Sequence, residues 1–359
     1  MVFAAAKETI TSKHMSENRS EIKQLGEFGL IDRIRQQFTL ANPTSKTGIG
    51  DDAAVIDIGD ECLLVTTDML LEGIHFDLAF TPLHHLGYKA VAANVSDIAA
   101  MNGKAEQITV SIALSNRFSI EAVDALYAGI KAACENYKVD LVGGDTTASP
   151  SGLVISITAL GRAKKQTIAY RTGAQPNDII CVTGDLGGAF AGLQVLEREK
   201  EVFLANPSMQ PDLEKYEYVV GRQLKPEART DIVFDLADAG VKPTAMIDVS
   251  DGLASELFHI SNHSNVGIRI YEDKVPIDNS TYETAIEFKL DPITCALNGG
   301  EDYELLFTIK KDDQEKIKNH PDIHFIGYAH ERKSENVLIT KQGTIVPLTA
   351  QGWDHFRKV

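Results

Sequence analysis

The chain has 359 residues, with 35 Lys and Arg against 51 Asp and Glu, a formal net charge of −16, and 43% hydrophobic residues. At about 150 residues per domain this length predicts two folded domains with apolar material for two cores. The acidic excess, without a Lys- or Arg-rich segment, disfavours a nucleic-acid groove, and no apolar run approaches the roughly 18 residues that cross a bilayer.

Residues 1–20 are polar and aperiodic and predict a flexible tail. A helical apolar spacing follows over 22–38, then a strand at 63–67 and a helix over 83–101. A strand at 107–114, a helix at 120–137 and strands at 139–142 and 153–162 continue the alternation. Polar residues ending in Gly173-Ala174-Gln175-Pro176 mark a linker over 164–175. Beyond it come a strand at 178–182, helices near 189–196 and 231–239, a strand at 245–249 and a helix at 253–261. Strands at 266–271 and 303–309, a helix at 313–319 and strands at 324–328 and 337–340 complete the pattern. The charged stretch 197–225 predicts a helical excursion with a loop, away from the chemistry. The fold class expected is two mixed α/β domains of the α+β type: 21–163, and 164–359. The cysteines Cys62, Cys134, Cys181 and Cys295 are widely separated and form no C-x-x-C pair, which points to free thiols in a reducing cytoplasm.

Acidic residues recur beside glycine at strand ends and helix starts. The clusters are Gly48-Ile49-Gly50-Asp51-Asp52, Thr66-Thr67-Asp68, Asn94-Val95-Ser96-Asp97, Gly143-Gly144-Asp145-Thr146-Thr147, Asp248-Val249-Ser250-Asp251-Gly252 and Gly299-Gly300-Glu301-Asp302-Tyr303-Glu304. Any one of them is explained by turn and cap chemistry: Ser250 or Asp251 suits an N-cap, and Asn94 a helix-surface amide. Six together favour hard cations, which take several oxygen ligands each, with glycine letting the backbone approach a phosphate. No G-x-x-x-x-G-K-[ST] motif is present, nor an H-R-D loop or D-F-G triplet, so P-loop and protein-kinase chemistry are not supported. A lysine-poor, carboxylate-rich site handling phosphates relies on Mg²⁺ for charge neutralisation, which suits phosphoryl transfer.

These clusters, with Gly26-Glu27-Phe28-Gly29-Leu30-Ile31, Gly73-Ile74-His75-Phe76 and Gly352-Trp353-Asp354-His355-Phe356, resemble those of the thiamine-monophosphate kinases. That family sits in a superfamily with aminoimidazole ribonucleotide synthetase, selenophosphate synthetase and a hydrogenase-maturation protein. The resemblance implies ATP-dependent phosphorylation of thiamine monophosphate to thiamine diphosphate, with Mg²⁺, by a cytoplasmic homodimer whose N-terminal domains join through their sheets. By motif it implies metal ligands at Asp52, Thr66, Thr67, Asp68, Asp97, Asp145, Asp248 and Asp251. Asp52, Asp97, Asp145 and Asp251 carry the catalytic assignment, Gly144, Asp145, Arg171 and Ser250 the nucleotide, and His75, Glu301 and Trp353 the thiamine phosphate. Taken alone, Arg171 suits a phosphate clamp or a solvated charge, His75 a donor or a structural imidazole, and Trp353 a stacking face or tail packing. Direct in-line transfer needs no strong base, because a phosphate monoester with a second pKa near 6 is largely dianionic at neutral pH. Where the family continues Ala100-Met101 with glycine this chain has Asn102, which tolerates the left-handed turn. The competing readings are another ATP-using enzyme of the superfamily and a non-catalytic Mg-nucleotide sensor.

Overall fold

The computed structural model describes residues 25–332 and 335–350, so the expected tail and Trp353 lie outside the described residues. Helix α1 (Gly26–Arg35) is shorter than the 22–38 spacing predicts, has no buried residue and belongs to a separate unit from the chain that begins at Leu40. In that second unit the first sheet is built from β1 (Ser45–Thr47), β2 (Ala54–Asp57) and β3 (Glu61–Leu71), then α2 (Leu83–Ala100), β4 (Lys104–Leu114), α3 (Ile120–Tyr137), β5 (Asp140–Ala148) and β6 (Val154–Lys164). The strand order is β1-β2-β3-β6-β4-β5, and β4 with β5 is its parallel pair. That pair is joined by α3, as a parallel connection requires a crossover.

Along β3 the side chains alternate strictly: Leu64, Thr66 and Leu70 are buried, Thr67 and Met69 exposed. The inward face receives α2, which is buried along nearly its whole length. A helix buried on nearly every side is a core helix. It crosses α3 at backbone contact, because a Cβ on Gly87 would lie 2.1 Å from the Leu126 carbonyl oxygen and one on Gly129 1.8 Å from that of His84. The turn after α2 places Asn102 at φ 53, the left-handed conformation its side chain tolerates.

Residues 165–178 connect the sheets without helix or strand. Then come β7 (Ile179–Thr183), α4 (Gly188–Ala205), α5 (Glu217–Leu224), α6 (Thr230–Asp238), β8 (Ala245–Asp248), α7 (Leu253–Ser264), β9 (Gly267–Tyr271), α8 (Asn279–Glu287), α9 (Pro292–Asn298), β10 (Leu305–Ile309), α10 (Gln314–Ile317), β11 (Ile323–His330), β12 (Asn336–Ile339) and β13 (Ile345–Pro347). The second sheet runs β13-β12-β9-β11-β7-β10-β8. Ala99 and Ala100, at the end of α2, pack with Ile232 and Leu236 of α6 and with Met246, Leu305 and Phe307 of this sheet. One helix therefore serves both halves.

Several elements differ from expectation. Helix α4 runs to Ala205 rather than 196, and α5 folds back on it through Val195, Leu196, Val219 and Val220. The helix expected at 313–319 is a 3₁₀ turn followed by the single turn α10. Helices α8 and α9, read as loop, start where Asp278 and Asp291 accept the backbone N–H of Ser280 and Ile293, with Pro292 opening α9.

Candidate active site

Four acids arrive from four elements. Asp52 sits just before β2, Asp68 on β3, Asp97 in the last turn of α2 and Asp248 at the end of β8. Carboxylate oxygens of Asp52, Asp97 and Asp248 all lie within 4.8 Å of one another. Asp68 faces the same space, because on a strand it shares the inward face with Thr66. Neighbouring hydroxyls and amides hold the arrangement: Thr66 Oγ1 donates to Asp97 Oδ2 at 2.7 Å and Ser96 Oγ to Asp248 Oδ2 at 2.7 Å. Asn94, one turn before Asp97, accepts the Asp68 N–H at 3.1 Å and donates to the Ala90 carbonyl at 3.0 Å, so it locks helix to strand.

Arg171 closes one side. Its Nη2 and Nε donate to Asp52 Oδ1 at 2.6 and 3.1 Å, and its backbone N–H donates to Asp51 Oδ1 at 3.1 Å. The other oxygen, Asp52 Oδ2, is buried with no hydrogen-bond partner among the described residues. An uncompensated buried carboxylate oxygen is costly and marks where a cation belongs.

The electrostatics agree. Burial, then the charges of Asp68, Asp248 and Asp52, hold the Asp97 carboxyl well above the usual carboxylate range. Burial and Asp52 push Asp248 up to about 7 and raise Asp68, while Asp51 is pushed to about 7 by the same two causes. Carboxylates that repel one another in a water-poor pocket lack positive charge. An all-oxygen donor set of this kind fits Mg²⁺ rather than a thiophilic metal.

Three predicted residues do not join this cage through their side chains. Thr67 stands on the opposite face of β3, where its hydroxyl donates to the Ile157 carbonyl at 3.1 Å. Asp68 shares a cross-strand row with Ile157, Val110 and Gly144, which puts Gly144 three strands away, roughly 14 Å. Asp145 is one residue further and therefore on the outer face, exposed, with Oδ1 accepting the Thr146 N–H at 2.9 Å. The expectation that Asp145 meets Asp52, Asp68 and Asp97 thus fails within one chain. The Gly-Gly-Asp motif lies inside an edge strand rather than in a turn. Gly144 is required there, since a Cβ would meet the Val110 carbonyl oxygen at 1.9 Å. Beside it a cavity of about 540 Å³ is lined by Tyr127, Leu141, Val142 and the Gly-Gly-Asp backbone.

The remaining described assignments lie in loops. Ser250 and Asp251 lie in the turn from β8 to α7, and the Ser250 carbonyl accepts the Glu301 N–H at 2.7 Å. The segment after α9 is zipped to this turn by Tyr303 N–H to Val249 O at 2.9 Å, with Glu301 at φ 65 and Tyr303 at φ 53. Two non-glycine residues held left-handed store strain, a mark of functional loops. Glu301 binds Lys89 Nζ at 2.8 Å and Gln223 Nε2 at 2.8 Å. In the loop after β3, His75 Nδ1 accepts the Leu71 N–H at 3.0 Å, which places the imidazole proton on Nε2 when neutral.

Sequence reasoning passed over Glu256, Lys89 and Gln223. Glu256, on α7, is buried and accepts the Asp251 N–H at 3.1 Å; burial and the Asp251 charge hold it well above its usual range. Its signal was position alone, five residues after Asp251. Lys89 hides in the apolar run of α2, and Gln223 comes from the charged stretch expected to lie away from the chemistry.

Sequence profiles of the AIR synthase related protein family match in two blocks, the N-terminal domain over residues 50–163 and the C-terminal domain over 175–339. The thiamine-monophosphate kinase of Bacillus subtilis (strain 168) is 34% identical over 339 residues, 93% of this chain and 100% of that one. That of Aquifex aeolicus (strain VF5) is 35% identical over 93% of this chain and 99% of its own. A solved structure described as AaThiL complexed with AMPPCP and TMP superposes with a TM-score of 0.79 at 33% identity, covering 94% of this chain and 99% of that one. The crystal structure of thiamine-monophosphate kinase from Stenotrophomonas maltophilia K279a gives 0.69 at 33% identity, over 90% and 98%.

Proposed function

The chain belongs to the thiamine-monophosphate kinases of the AIR synthase related family, and on that premise we propose that it transfers the γ-phosphoryl group of ATP to thiamine monophosphate, giving thiamine diphosphate and ADP. The observation that carries this reading is the convergence of Asp52, Asp97 and Asp248, with Asp68 beside them, around an orphaned Asp52 Oδ2. These residues would hold Mg²⁺, which supplies neutralisation between two phosphate chains that otherwise repel. The protein's own groups position and shield. Arg171 offers a guanidinium at the cage wall for the nucleotide phosphates, Asn94 and Ser96 fix the acids, and Glu301 presents a carboxylate for the acceptor. The acceptor oxygen is already ionised at neutral pH, so the reading assigns no catalytic base and no phosphoenzyme.

Residues 21–163 are assigned to nucleotide binding and dimerisation, and 164–359 to completing the site. The outer face of the first sheet supports a homodimer: Thr67, Met69 and Asp145 are exposed there, and Leu141 and Val142 are exposed on the edge strand β5. Face-to-face packing of two such sheets would bring Asp145 of one protomer to the other. No described helix is long and apolar enough to cross a membrane. The four cysteines are free thiols, which supports a cytoplasmic assignment.

The test is incubation of the purified protein with thiamine monophosphate, ATP and Mg²⁺, following thiamine diphosphate and ADP by chromatography. Equimolar appearance of both, abolished by chelator, is the expected result. Nucleotide binding without product would leave a Mg-nucleotide sensor.

A further inference from the structure

Lys89 is 3% exposed, in the middle of a helix whose other buried positions are almost all apolar. Removing an ammonium from water is expensive, and exchanging a buried ion pair for apolar side chains is often neutral or stabilising. Stability alone therefore does not account for a lysine here. Its hydrogen bonds point to another role. Nζ donates to Glu301 Oε1 at 2.8 Å and to the Gln223 carbonyl at 3.2 Å, while Gln223 Nε2 donates to Glu301 Oε2 at 2.8 Å. Each carboxylate oxygen is thus gripped by one donor, and rotation about the last bond of Glu301 is blocked from both sides.

The three residues differ in exposure. Lys89 and Gln223 are buried, at 3% and 6%, whereas the Glu301 side chain is 29% exposed. Two inaccessible donors back one carboxylate that faces outward. Each oxygen has two acceptor sites, so one on each remains for an arriving ligand with N–H donors or positive charge. The left-handed backbone at Glu301 fixes the Cα–Cβ direction, and the donor pair fixes the rest.

We propose that Lys89 and Gln223 are positioning residues that orient the Glu301 carboxylate toward the cationic, amine-bearing thiamine part of the acceptor. This rests on the kinase reading above, in which Glu301 contacts that substrate. It also gives the charged excursion after α4 a purpose, since α5 brings Gln223 to the acceptor side of the site.

Steady-state kinetics of Lys89→Met and Gln223→Met, with each substrate varied in turn, test the proposal. The expected result is a KM for thiamine monophosphate raised roughly 10- to 100-fold, the worth of a hydrogen bond to a charged group, with the KM for ATP within about twofold of wild type. Lys89→Arg keeps a charged donor and should recover part of the loss. The double variant Lys89→Met/Glu301→Gln should be little worse than Glu301→Gln alone, because both changes disable one unit. If the single variants change only the melting temperature, or move both KM values together, the pair is a structural staple and the proposal falls. Should Lys89→Met fail to fold, Gln223→Met carries the test. Wild-type protein that makes no thiamine diphosphate overturns the kinase reading itself, whereas active wild type with unaltered variants overturns the positioning role alone.

Discussion

The burial and mutual repulsion of the cage acids should be measurable without any substrate. Asp248 is 3% exposed and its carboxyl is pushed from 3.8 to about 7. Below pH 3.8 folded and unfolded chains both hold the proton and the site costs nothing. Between 3.8 and 7 the unfolded chain has released it while the folded chain retains it, so the unfolded state binds fewer protons and stability falls as pH rises. At 1.36 kcal/mol per unit, the two units from pH 5 to 7 remove about 3 kcal/mol. Other groups titrate over the same range. His259, pushed down to about 3 by burial and then by Arg171, works in the opposite direction, losing stability as pH falls below 6.5. The comparison must therefore be between wild type and Asp248→Asn, by urea unfolding in chelator at pH 5, 6, 7 and 8. The difference should tilt by about 3 kcal/mol in favour of the variant between pH 5 and 7 and then level off. Added Mg²⁺ should stabilise wild type more at pH 8 than at pH 6, because its ligands must be deprotonated. A flat difference, or wild type gaining on the variant with rising pH, would refute the idea that burial and the neighbouring carboxylates keep Asp248 protonated.

Asp97→Asn should lower kcat roughly 100-fold or more, the scale of a lost electrostatic group, with unchanged circular dichroism; near-normal turnover at low Mg²⁺ would remove Asp97 from the site. Arg171→Met leaves buried Asp52 without its guanidinium, so calorimetry should record nucleotide binding weakened about tenfold or more; unchanged affinity would make Arg171 a structural partner only. Gly87→Ala puts a methyl 2.1 Å from the Leu126 carbonyl oxygen and should cost about 1–3 kcal/mol in urea unfolding; an unaltered midpoint contradicts backbone contact between α2 and α3. Val142→Lys on the exposed β5 edge should shift sedimentation toward monomer and reduce turnover together; an active monomer would refute the dimer reading.

The long alternating elements were legible because their periods are strong: helix 120–137 is found where the apolar spacing put it, and α2 ends one residue early. The acids of the cage were legible as types beside glycine, since hard cations favour carboxylate oxygens. Their grouping was not. Gly143-Gly144-Asp145 carries the same turn-forming letters as Gly48-Ile49-Gly50-Asp51, yet one lies in an exposed strand and the other next to the cage. Only sheet register separates them, and register is set by long-range pairing. Lys89 and Glu256 escaped notice for the opposite reason: each is a single charged letter in a helix, where solvation is the ordinary expectation, and burial comes from what packs on top.

Helix α2 carries Lys89 toward its middle and Asp97 in its last turn, eight residues apart, which is about 12 Å of helical rise. A helix buried along nearly its whole length makes that interval a fixed spacer between the Lys89–Glu301 pair and the carboxylate cage. A one-residue insertion between them would rotate one end by about 100° against the other, so that Lys89 could no longer reach Glu301 while Asp97 stays in the cage.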